Sequence, residues 1–156
     1  MISCASLSVG HRLPGLRVAV TAKTIIMGAV ASRDWQPQHH DRGWARHEAG
    51  LPDIIMNNYT QAGFISRFIT DWSGPHGRIG RLKFAMKRPI RPGDDLAFDG
   101  EIVGIIPTVS GFSWVDVAVR VSAAEALATT AQVRLALPSQ ATSPSPWRCP
   151  RQLWAP

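Results

Sequence analysis

Residues 59–72 read YTQAGFISRFITDW, and the fold turns on how they are read. Apolar side chains stand at 59, 62, 64, 65, 68, 69 and 72, a wide stripe at helical period. Asn57 and Asn58 just before them suit a helix start. Ser73, Gly74 and Pro75 stop the helix. Gly63 falls in its middle, where glycine costs about 1 kcal/mol against alanine. Close packing of the backbone against a sheet is the expected reason.

Downstream, the pattern changes to strands: 78–87, 96–106, 112–121 and 129–137. In the first, Leu82, Phe84 and Met86 share a face. In the third, Trp114 and Asp116 share one face, and Val115, Val117, Val119 and Val121 the other. In the fourth, Ala131, Val133, Leu135 and Leu137 alternate with polar neighbours. Successive antiparallel connections predict a meander. The expected class is α+β, a curved antiparallel sheet wrapped around one long central helix.

Upstream, Leu16 to Thr21 reads as a short strand. Thr21 or Thr24 caps a helix running to about Arg33, with Ile25, Ile26, Ala29 and Val30 on its buried side. Residues 42–49 form a short helix closed by Gly50. Residues 1–15 are expected to be a loose leader and 16–138 a single domain. Residues 139–156, with four prolines, are expected to be a disordered tail. Trp147, Leu153 and Trp154 could make it a docking peptide.

Composition narrows the function classes. The net charge is +6, but all 11 acids lie between residues 24 and 138, where they nearly balance the Lys and Arg. The basic excess belongs to the two ends, not to a folded face, which argues against nucleic-acid binding. No apolar run approaches a membrane span. The start has no basic segment and only a broken apolar one, so it is a poor signal peptide. Cys4 and Cys149 stand in opposite tails, with no disulfide framework or zinc spacing. The expected location is cytoplasmic, with no membrane partner.

Chemistry concentrates in residues 32–41, SRDWQPQHHD. Asp34 precedes His39 by five positions, with Pro37 stiffening the turn between them. Trp35 would be a large apolar anchor. An acid and an imidazole on such a turn could hold one water between them, as general acid–base chemistry requires. A plain polar loop with Asp34 as a helix cap is the alternative. A metal site would use His39, His40, Asp41 and His47, but adjacent histidines diverge and no second ligand cluster appears. No metal is expected.

These residues together resemble the MaoC-like hot-dog-fold acyl-CoA dehydratases, the (R)-specific enoyl-CoA hydratases. The family motif D-x-N-P-x-H-x-D is matched by Asp34, Pro37, His39 and Asp41, with Gln36 in place of Asn. TDWSGP at 70–75 and RPIRPGDDL at 88–96 extend the likeness over roughly 16–137. It is greatest to small hydratase subunits of actinobacterial steroid side-chain degradation.

The resemblance implies a hot-dog fold and hydration of a trans-2-enoyl-CoA to a 3-hydroxyacyl-CoA, with Asp34 and His39 catalytic. It implies no cofactor beyond the CoA thioester substrate. The family's oxyanion donor, a backbone N–H in a His-Gly pair, falls on Asn57 and Asn58. Gln36 and Tyr59 are the other substrate-binding candidates. A second hot-dog subunit is implied as partner, with a heteromer favoured over a homodimer. Arg78, Arg81, Lys83, Lys87, Arg88 and Arg91 are candidates for the CoA phosphates. A non-catalytic acyl-CoA-binding or scaffold subunit is the other reading. A hot-dog thioesterase would place an acid on the central helix, and residues 59–70 have none.

Overall fold

The computed structural model describes residues 2–156. In chain order its elements are β1 (Leu16–Ala19), α1 (Ala22–Ala31), α2 (Arg42–His47), α3 (Asn58–Ser73), β2 (Arg78–Met86), β3 (Asp95–Pro107), β4 (Phe112–Ala123) and β5 (Ala126–Pro138). Short 3-10 turns occur at Cys4–Ser6, Pro37–His39, Pro146–Arg148 and Arg151–Leu153.

Helix starts follow local chemistry. Thr21 and Thr24 form a reciprocal capping box on α1, and Asp41 accepts from Trp44 N–H to open α2. Asn57 caps α3, and Gly74 ends it at φ 68°, a conformation that favours glycine.

Ile65, Phe68 and Ile69 of α3 are buried against Val115, Val117, Val119, Leu135 and Leu137 of the sheet. Burying an aliphatic side chain of this size stabilises by about 1.5–3 kcal/mol. The helix therefore lies against the face predicted from the valine alternation. The close approach occurs at a different glycine from the expected one. A Cβ on Gly63 would meet nothing, whereas one on Gly100 of β3 would stand 2.8 Å from the Phe68 ring. Gly63 lines an open outer groove with Gly28 and Tyr59.

The strands do not form one meander. Their order is β1-β3-β4-β5-β2, all antiparallel. Only β3, β4 and β5 follow one another. The segment joining β2 to β3 contains Pro89 and Pro92, which resist a tight hairpin. β2 instead pairs with β5, from Arg78 opposite Ala136 to Met86 opposite Thr129. The β4–β5 hairpin also runs longer than predicted. It closes through Ala124 (φ 47°) and Glu125 (φ 65°), residues without the Asn-Gly signature of such turns.

Among the described residues, parts of the segments expected to be a loose leader and a disordered tail pack on the sheet. Gly10 and Leu13 donate N–H bonds to the Ile102 and Gly100 carbonyls at 2.8 and 2.9 Å. Cys4 and Leu13 are buried. The reason is the short β1, which covers only Leu96–Phe98 and Asp95 of β3 and leaves the rest of that edge needing partners. At the other end, Trp154 packs on Trp114 (4.7 Å between centroids) and Phe112 (5.9 Å). The Arg78 guanidinium stacks on Trp154 at 3.7 Å, and Trp147 Nε1–H donates to the Gly77 carbonyl at 3.1 Å. Proline density masks this segment because it docks by scattered aromatics without periodicity.

Truncation after Ser139 should therefore expose Phe112 and Trp114. With aromatic pairs worth about 0.5–1.5 kcal/mol each, it should cost about 2–3 kcal/mol. That corresponds to a fall of roughly 5–10 °C in the thermal midpoint. Calorimetry of the truncated and full chains checks this, and equal midpoints would show the docking contributes nothing.

Candidate active site

The acid and the imidazole are delivered by the end of α1 and the turn after it. Ser32 Oγ donates to the Gly28 carbonyl at 2.8 Å. Arg33 then adopts φ 54°, a left-handed conformation that costs a non-glycine residue about 1–2 kcal/mol. Asp34 N–H folds back onto the Ala29 carbonyl at 2.9 Å. Gln36 is extended, as the residue before a proline prefers. Pro37 opens the turn that buries His39 to 4 % exposure.

The geometry assigns the imidazole proton. His39 Nδ1 is 2.7 Å from the Ile55 carbonyl, which can only accept, so Nδ1 carries the hydrogen. Nε2 is then the nitrogen that faces Asp34 Oδ2, at 3.3 Å.

Asn57 ties this pair to the central helix. Its Oδ1 accepts from Thr60 N–H at 2.9 Å and from Thr60 Oγ1–H at 2.6 Å. The amide orientation is thereby fixed. Nδ2 donates to Asp34 Oδ2 at 3.0 Å and to Ser32 Oγ at 2.8 Å. A Cβ at Gly28 would collide with Thr60, so this glycine lets α1 approach the capped end of α3. Asn57 is 2 % exposed and its side chain is fully engaged. Its amide holds Asp34, and the residue also lines the cavity described next.

Asp34, His39, Gln36 and Asn58 line one cavity of about 440 Å³, with Gln61 and Met86 also in its wall. Asn58 Oδ1 accepts from Tyr59 N–H at 2.9 Å. Gln36 Oε1 accepts from Gln38 Nε2 at 3.0 Å. Tyr59 is 61 % exposed and lines the separate outer groove, because one residue further along a helix start turns it away. Trp35 is 65 % exposed and anchors nothing. His40 is exposed, with Nε2 at 3.3 Å from the Trp35 carbonyl. Of the six candidate cations, Lys87 and Arg88 line the cavity. Arg88 also meets Asp94 at 3.7 Å, and Arg78 is taken by the tail.

Sequence reading missed Ser32, the Ile55 carbonyl and Gln61. The spacing N-x-x-T at 57–60 was a usable cap signal, and Gln61 stands one turn before Ile65 on the buried stripe. Among the described residues, no three His, Cys, Asp or Glu side chains are grouped to hold a metal ion. No helix among them is long and apolar enough to cross a membrane.

The family described as the MaoC-like domain matches residues 9–126. The chain belongs to the MaoC-like dehydratase family. The fold is accordingly hot-dog, the dehydratase and hydratase fold of this family's solved structures. A curated relative from Mycobacterium tuberculosis, the 3-oxo-4,17-pregnadiene-20-carboxyl-CoA hydratase beta subunit, is 35% identical over 97 residues, 62% of this chain and 74% of that one. The ChsH1-ChsH2 complex from the same organism matches at 32% identity and a TM-score of 0.72, over 83% of this chain and 98% of the other. The (R)-hydratase of A. caviae matches in fold, with a TM-score of 0.74 and 22% identity over 85% and 98% of the two chains. This MaoC-like chain is thus an enzyme of a hydratase family, related to a steroid side-chain hydratase subunit.

The Asn57 contacts make a separable prediction. Asn57→Ala removes the cap and should cost about 1–2 kcal/mol of stability, with a fall in kcat. Asn57→Asp keeps a good cap but replaces the donor to Asp34 with a second carboxylate, whose like charge repels it. Its circular dichroism should match the native chain's while kcat falls at least as far as in Asn57→Ala. A native kcat in both variants would show that Asn57 does not act through Asp34.

Proposed function

We propose that this chain hydrates a trans-2-enoyl-CoA to a 3-hydroxyacyl-CoA, and catalyses the reverse dehydration, as one subunit of a heteromer with a second hot-dog chain. The observation that carries the reading is the Asp34–His39 contact at 3.3 Å, in a cavity wall.

The chemistry needs one water. Its oxygen bonds to the β carbon, one of its protons leaves, and the α carbon gains a proton. Asp34 accepts the proton from water, and Asn57 Nδ2–H keeps its Oδ2 oriented. Asp34 passes that proton across the 3.3 Å contact to His39 Nε2, which also holds the water and gives the proton to the α carbon, while Nδ1–H stays on the Ile55 carbonyl. Negative charge grows on the thioester oxygen and needs a donor. The Asn58 backbone N–H, at the positive end of α3, supplies one. The Asn58 side chain leaves that N–H approachable because its oxygen is turned onto Tyr59 N–H. Lys87 and Arg88, in the cavity wall, attract the CoA phosphates. A scaffold-only role would have no use for a buried acid–imidazole pair fixed by three further residues.

The partner is supported by the relative in the ChsH1-ChsH2 complex. It is supported also by β2, which pairs with β5 on one side only and so offers a nine-residue edge.

The test is loss of enoyl absorbance across a panel of 2-enoyl-CoAs, including a steroid side-chain thioester. The chain is assayed alone and co-expressed with a second hot-dog subunit. Asp34→Asn and His39→Ala should each lower kcat by on the order of 10²-fold or more, with unchanged circular dichroism. His40→Ala should stay within a few-fold of native. A damaging His40→Ala with a mild His39→Ala would overturn the assignment.

A further inference from the structure

Gln61 is a buried amide, 5 % exposed, on the face of α3 that turns to the sheet. Its Oε1 accepts a 2.6 Å hydrogen bond from the Thr129 hydroxyl on β5. Its Nε2 points at Met86 Sδ (3.2 Å) and the Met56 carbonyl (3.5 Å). Thr129 is itself 1 % exposed, so helix and strand are pinned together by one polar link inside the core.

Two spaces meet at this side chain. One is the catalytic cavity. The other is a narrow apolar gap between α3 and the sheet, walled by Phe64, Ile65, Leu96, Phe98 and Val121. The gap is too narrow to hold a water molecule. Gln61 lines both spaces, and no other residue does.

We propose that Gln61, held by Thr129, is a specificity plug: it closes the path from the catalytic cavity into the core, so that long unbranched acyl chains are excluded and the acyl group lies at the open mouth. Short acyl groups, and ring-bearing groups that need not thread the core, are the substrates this arrangement admits. This rests on the hydratase reading and adds a substrate class to it. The physical basis is the polar link: an alkyl chain passing this point would have to displace the amide and leave the Thr129 hydroxyl buried without a partner, which is unfavourable.

The experiment measures kcat/KM for but-2-enoyl-CoA and dec-2-enoyl-CoA, and calorimetric binding of butanoyl-CoA and decanoyl-CoA. It uses the full chain with its partner subunit where one is required. The native protein should favour the four-carbon over the ten-carbon chain by more than about tenfold, since even one methylene at a filled pocket changes selectivity on the order of tenfold. Gln61→Ala should raise the ten-to-four-carbon ratio by about tenfold or more in both readouts. Gln61→Asn, one methylene shorter with the amide kept, is the second variant if the alanine form does not fold, and should raise the ratio in the same direction. The double variant Gln61→Met with Thr129→Val refills the space without the polar link and should keep the native ratio within about threefold. Native protein that takes both chains equally, or a folded Gln61→Ala with an unchanged ratio, overturns the plug. A binding ratio that shifts in a protein hydrating no enoyl-CoA would sustain the plug and overturn the hydratase reading.

Discussion

Everything at the site depends on one buried amide, that of Asn57. It serves as the cap of the longest helix and as the hydrogen-bond donor to Asp34. Its two ends cannot be exchanged, because Thr60 N–H needs an acceptor and Asp34 needs a donor. The start of α3 and the orientation of Asp34 are therefore one structural event. The Ser32 hydroxyl joins them to the end of α1, so three segments meet at a single side chain.

Burial makes this arrangement stiff. His39 and Asn57 are almost wholly enclosed, and a hydrogen bond lost there leaves a polar group away from water. The strain at Arg33 fits the same picture. A left-handed residue persists where the surroundings over-determine it, and here the Ser32 and Asp34 bonds on either side do so.

Much of this was legible in the residues. Apolar periodicity located α3 and the inward valines of β4, and capping chemistry located the helix starts. The D-x-x-P-x-H spacing located the pair. What escaped has physical causes. Strand order is set by long-range pairing, which local alternation cannot report, so β2 was placed beside β3 and not beside β5. The leader and tail dock through isolated side chains such as Leu13 and Trp154, and a period finder has nothing to count there. Asn57 reads as a helix start from its neighbours and as part of the oxyanion pair from the resemblance; that its amide also holds Asp34 depends on α1 and α3 meeting, which local sequence does not report. Gln61 stands in line with buried Ile65 and needs a partner of its own, and that partner, Thr129, lies on a distant strand that local sequence does not point to.

The strand order also bears on how the enzyme comes together. Ala123 pairs with Ala126 across the two-residue turn, so β4 and β5 can zip from a neighbouring start. Met86 pairs with Thr129, 43 positions further on, and the chain entropy of closing a loop grows with its length. The cavity wall at Met86, and the Thr129 that bonds Gln61, sit at that pairing. The cavity is thus closed in part by long-range contacts, which places its completion after that of the β4–β5 hairpin.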